Sequence, residues 1–126
     1  MLRLAQIALA VAILATLNSL LSTWEHVSDP AYTVHAQLHF GREIVISIAA
    51  LLIAAYFMYG PARYRTMAGW TAMAIAILGV AGAFWLSLLF TGSPIPGLQA
   101  ALNHIGNTVF GLLALGLSWK PFRQPR

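Results

Sequence analysis

The chain is 126 residues long, 60% hydrophobic and 8% charged, with a net charge of +4 and no cysteine. So few charges exclude an ordinary soluble domain, where about a quarter of residues are charged, and the lack of cysteine excludes a disulfide framework or a thiolate metal site. The basic residues sit in short tails and turns beside apolar runs, which marks membrane orientation and not a nucleic-acid face.

The expected fold is all-α: an integral membrane four-helix bundle forming one domain over residues 1–126, with spans at 4–22, 36–59, 67–90 and 98–119. A span takes roughly 20 apolar residues. The first, "LAQIALAVAILATLNSLL", follows Arg3 as a signal peptide would, but its run is long and no small-x-small pair follows it, so it reads as a retained span. The second contains "IVISIAALLIAAYFMY". Its helix is expected to begin earlier, near Val34, because Pro30 and Thr33 make an entry and nothing breaks the chain after them. "YGPARYRT" joins the second and third spans, and "TGSPIPG" joins the third and fourth. The third carries Ala72, Ala76, Gly79 and Ala83 at spacings of three and four, and the fourth carries Gly106, Gly111 and Gly116. Small residues let membrane helices approach closely, so these predict a compact bundle.

Arg3, Arg63, Arg65, Lys120, Arg123 and Arg126 fall on one side of a four-span layout, and only Arg42 falls on the other. The positive-inside rule then puts both termini in the cytoplasm of a multi-pass protein of the cell (inner) membrane. Loops 23–35 and 91–97 face outward, and loop 60–66 is cytoplasmic. Trp24, Tyr32, Tyr59, Tyr64 and Trp119 fall near span ends, as an aromatic belt does.

All three acidic residues and three of the four histidines lie in one stretch, "EHVSDPAYTVHAQLHFGRE". His35 and His39 are one helical turn apart, and Glu43 continues that face. Asn103, His104 and Asn107 form a second polar group in the fourth span, and Asn18 sits a turn before the outer end of the first. Ionisable groups at membrane depth are costly and face the bundle interior or water, so a shared site at the outer face, for a ligand, metal or lipid headgroup, is expected from His26, His35, His39, Glu43, Asn103, His104 and Asn107 in a protein of unassigned activity. Three chemistries suit it. His35, His39 and His104 could ligate a divalent metal, or His39 and His104 a haem iron. His39 and Glu43 could act as an acid–base pair on a lipid or quinone, much as membrane-embedded sterol isomerases use a His–Glu helix pair. The ordinary alternative is a satisfied cluster: histidines bonded to Asn103, Asn107 or carbonyls, and Glu43 neutralised by Arg42 or His39. The expected partners are the lipid bilayer and, in an accessory-subunit reading, a second copy or another membrane subunit.

The stretch "HVSDPAYTVHAQLH" resembles a loop in small four-helix bacterial membrane proteins, loosely DoxX-like, that reads approximately H-V-F-N-P-x-W-P-P-H-A-x-F-H. His26, Val27, Pro30, His35, Ala36 and His39 match in register. Asp29 stands for Asn, Tyr32 for Trp and Leu38 for Phe, while Thr33 and Val34 replace two prolines. The resemblance implies the four-span layout and a recurrent H-A-x-x-H design. The family has no agreed activity, so it implies no reaction.

Overall fold

The computed structural model describes residues 1–92, 94 and 97–124. Parts of the expected 91–97 loop (Ser93, Ile95 and Pro96), together with Arg126, lie outside the described residues. The chain is all-helical: α1 (Leu2–Ser28), α2 (Val34–Tyr59), α3 (Met67–Thr91) and α4 (Leu98–Arg123), with one 3-10 turn, Ala62–Tyr64, between α2 and α3. All four long helices have the length and hydropathy to cross a membrane.

Local chemistry accounts for the boundaries. α2 starts at Val34 because the Thr33 hydroxyl accepts the Ala36 N–H at 3.2 Å, the ordinary N-cap bond. Thr66 caps α3 in the same way, accepting from Gly69 N at 3.1 Å. α3 ends where Gly92 takes the left-handed conformation (φ 63°), which costs glycine little. α1 runs past the expected end of the first span to Ser28, because Thr23 to Ser28 contain no helix breaker. Asp29 and Pro30 then stop it. The Asp29 side chain accepts from Ala31 N at 2.8 Å, an Asx turn that leaves a connection of only five residues, 29–33.

The helices form a ring. Each packs on its neighbours in sequence, α4 closes on α1 along the most extensive interface, and diagonal pairs hardly meet. The apolar core sits toward one end. Ala5 and Leu9 of α1, Ala54 and Met58 of α2, Met73 and Ile77 of α3, and Ala114, Leu115 and Phe122 of α4 come together there. That end also carries the 3-10 turn and Arg63, Arg65 and Arg123, so it is called the arginine end. Polar ties reinforce it: Tyr59 donates to the Gln6 carbonyl, Gln6 Nε2 to Met58 O at 3.2 Å, and Trp70 Nε1 to Leu115 O at 3.1 Å.

The opposite, histidine end is built differently. α1 stays buried against α4 through Ala12, Thr16 and Leu20, whereas α2 has no buried residue between positions 34 and 53. The small-residue stripe of α3 explains part of this, and it corrects the packing expectation. A Cβ added at Gly79 would meet nothing within 4 Å, and Gly79 and Ala83 face open space, while Ala76 at its edge is buried. In α4 the expectation holds at one position. A Cβ at Gly111 would lie 2.7 Å from Ile77 Cγ2, so α3 and α4 approach closely there, while Gly116 faces nothing within 4 Å.

Candidate functional site

The open space at the histidine end is a cavity of about 720 Å³ walled by all four helices. α2 contributes His39, Glu43, Ser47 and Ala50, which repeat at helical spacing along one face. α4 contributes His104 and Asn107, at i and i+3. α1 adds Thr16, Ser19 and Leu20. α3 supplies the apolar wall through Ile75, Val80 and Phe84 and the clearance through its small residues. Polar groups thus occupy parts of the α1, α2 and α4 walls, and hydrocarbon covers the rest.

His104 is the best-anchored of the polar groups. Its ring stacks on Phe84, with centroids 3.4 Å apart and planes 7° from parallel. Its Nε2 is hydrogen-bonded to Ser19 Oγ at 3.2 Å. The backbone of the same turn is tied to α3: Thr108 Oγ1 donates to the His104 carbonyl at 2.7 Å and accepts from Trp85 Nε1 at 2.8 Å. Three helices therefore fix one imidazole.

His39 and Glu43, the acid–base candidates, line the same cavity one turn apart. His39 Nε2 lies 3.0 Å from His35 Nε2, with the rings edge-to-face, so one ring supplies an N–H and the other a lone pair. His35 is thereby attached to the site through His39 without lining it. Among the described residues Glu43 makes no hydrogen bond or ion pair, and neither does Arg42 beside it. Asn107 is 4% exposed, and its amide has no side-chain partner among the described residues. These groups differ from a cluster satisfied by Arg42–Glu43 pairing and Asn107 bonding.

The other two candidates stand apart from the cavity. His26 packs against Tyr32 and Phe40, with centroids at 5.0 and 5.3 Å, and Tyr32 meets Phe40 edge-to-face at 5.2 Å. This trio joins the end of α1 to the start of α2, and Gln37 Nε2 supports it by donating to the Asp29 carbonyl at 2.8 Å. Asn103 accepts from Asn18 Nδ2 at 3.0 Å and from Gln99 Nε2 at 3.2 Å, which ties α1 to α4. The histidine-rich loop motif is therefore divided. Its first half (His26, Asp29 and Tyr32) shapes the connection, and its last histidine faces the cavity. Among the described residues no group of three His, Cys, Asp or Glu side chains converges as a metal-binding set, so His35, His39 and His104 are not brought together.

Sequence reasoning missed Ser19, Ser47 and Phe84. A serine inside an apolar span is a weak signal, and nothing in the sequence distinguishes Phe84 from its apolar neighbours. A shallow apolar groove on the other side of α2, about 540 Å³, shares Arg42 and Ile46 with the cavity.

Comparison with known proteins found no matching family model, no matching curated protein and no matching solved structure.

Proposed function

We propose that the chain is a multi-pass protein of the cell (inner) membrane, with both termini cytoplasmic, that binds an amphiphilic small molecule of the lipid or quinone class. The polar head sits among His39, Glu43, His104 and Asn107, and the apolar part lies along α3. The observation that carries this reading is the cavity itself: about 720 Å³, apolar along α3, with a carboxylate (Glu43) and an amide (Asn107) on its lining that have no partner among the described residues. Unpaired polar groups at membrane depth are costly unless something bonds them. A volume of this order suits a small molecule held by a few placed polar groups. The positive-inside distribution of Lys and Arg supports the orientation. The resemblance of the histidine loop to small four-helix bacterial membrane proteins supports the layout.

The test is purification of the whole chain in mild detergent, organic extraction and mass spectrometry. Wild type is expected to retain one amphiphile in near-stoichiometric amount. Gly79→Leu projects a side chain into the cavity with no neighbour to displace, so it should lose that molecule and stay folded. Retention unchanged by Gly79→Leu would overturn the assignment, as would a stable protein that neither carries nor gains an added lipid or quinone. A Soret band lost in His39→Ala and His104→Ala would replace the amphiphile with haem.

A second reading follows from His39 and Glu43 being one turn apart on the same wall: the pair moves a proton on the bound molecule. It requires His39→Ala and Glu43→Gln to retain the amphiphile but abolish its conversion.

A further inference from the structure

The arginine end carries a second concavity that the cavity reading does not use. A groove of about 570 Å³ lies between the α2–α3 connection and the end of α4. Arg63, Arg65 and Thr66 line it from the connection, Met67 from the first turn of α3, and Phe122 and Arg123 from α4. We propose that this groove binds a phosphate-bearing anion, as carried by the headgroup of an anionic phospholipid. The inference rests on the chain being in a membrane, but not on what fills the cavity.

Charge is the first support. Three arginines line the groove with no acidic side chain to offset them, because Glu25, Asp29 and Glu43 all belong to the histidine half of the chain. The C-terminal carbonyls of α4 partly offset Arg123, but not Arg63 and Arg65. The N-terminus of α3 adds a partial positive charge beside Thr66 and Met67.

Donor availability is the second support. Arg65 Nη2 donates to the Gly60 carbonyl at 3.1 Å, which fixes the guanidinium, while its Nε is buried with no partner among the described residues. A buried unpaired donor is an unusual cost, and it leaves the Arg65 guanidinium short of acceptors. Arg63 is held over the Tyr64 ring, 4.7 Å from its centroid, by a bond from its Nη2 to the Tyr64 hydroxyl at 3.1 Å. The Thr66 oxygen accepts from Gly69 N, which leaves its O–H to donate.

The third support is rigidity and depth. Tyr64 N donates to Pro61 O and Arg65 N to Ala62 O, both at 3.0 Å, and a Cβ at Gly69 would lie 2.7 Å from Phe57 Cδ1. The connection is thus braced by its own bonds and by the Tyr64 ring against Tyr56 of α2, with centroids 5.2 Å apart, before any ligand arrives. Trp70 and Trp119 meet edge-to-face at 4.8 Å at the same end, and tryptophans favour the headgroup level of a bilayer. Basic pockets between helices at that level suit anionic headgroups.

The experiment uses the full chain in a neutral detergent and native mass spectrometry. The probes are phosphatidylglycerol and phosphatidylcholine with identical tails, with inorganic phosphate as competitor. Wild type is expected to hold phosphatidylglycerol in preference to phosphatidylcholine. Each lost arginine should weaken that binding roughly fivefold, and Arg63→Gln with Arg65→Gln roughly twenty-five-fold. Arg123→Gln leaves the connection intact and should by itself weaken binding about fivefold, which covers the case in which the double variant fails to fold. Displacement of the lipid by millimolar phosphate would assign recognition to the phosphate group alone, and no displacement would assign it to the anchored headgroup. Equal retention of the two lipids would overturn the proposal. So would phosphatidylglycerol binding unaffected by Arg123→Gln and the folded double variant.

Discussion

Two glycine-to-alanine substitutions separate a helix contact from open space. At Gly111 the new Cβ would sit 2.7 Å from Ile77 Cγ2, more than half an ångström inside ordinary contact, and Ile77 is itself only 6% exposed. Either that side chain leaves its rotamer or α3 and α4 move apart. Overpacking of this kind costs roughly 1–3 kcal/mol. At Gly79 the new methyl meets nothing within 4 Å and costs nothing in packing. Both sites are interior to long helices, so the gain of about 1 kcal/mol in helix propensity is common to both and drops out of the comparison. Gly111→Ala should therefore be less stable than Gly79→Ala by about 1–3 kcal/mol. The measurement is the unfolding free energy in mixed micelles titrated with a denaturing detergent, monitored by circular dichroism. Gly111→Ala as stable as both Gly79→Ala and wild type would refute the close approach of α3 and α4. A Gly79→Ala variant as damaged as Gly111→Ala would refute the cavity wall.

Other expectations rest on single contacts. His104→Ala loses the Phe84 stack and the Ser19 bond, together roughly 1–3 kcal/mol. His104→Phe should recover part of that in the same titration, and full wild-type stability of His104→Ala would contradict the anchoring of this ring. Thr33→Ala removes the α2 cap and should cost about 1 kcal/mol. It should also speed hydrogen exchange at the Ala36 amide, and unchanged exchange there would mean that the hydroxyl is not the cap.

How far the sequence could be read depends on what each residue type specifies. Unbroken apolar runs separated by Pro and Gly clusters are enough for four helices, and Pro30 and Thr33, with no breaker after them, place the start of α2 near Val34. The continuation of α1 to Ser28 is harder to read. A span boundary follows hydropathy, whereas a helix boundary follows breakers, and Trp24 to Ser28 are polar without breaking. The stripe at Ala72, Ala76, Gly79 and Ala83 shows a deeper limit. A small side chain makes room, but the sequence does not say whether a neighbouring helix or a cavity fills it. The histidines divide for a similar reason. His39 and His104 line the cavity and His35 reaches it only through its bond to His39, whereas only the position of Tyr32 and Phe40 decides that His26 packs as a ring. Ser19 and Phe84 gave no signal because their importance is relational: each matters by touching His104.

The core gathered at the arginine end has a consequence for how this chain can change. Cohesion comes from Leu9, Met58, Met73 and Phe122, while the α2 part of the cavity wall is drawn from residues 34–53, which contribute nothing to that core. Core cohesion and the α2 face of the cavity are thus written in different parts of the sequence. Substitutions along the first half of α2 can reshape the cavity while the base of the bundle stays closed, so its shape is free to drift without dragging stability below the threshold for folding.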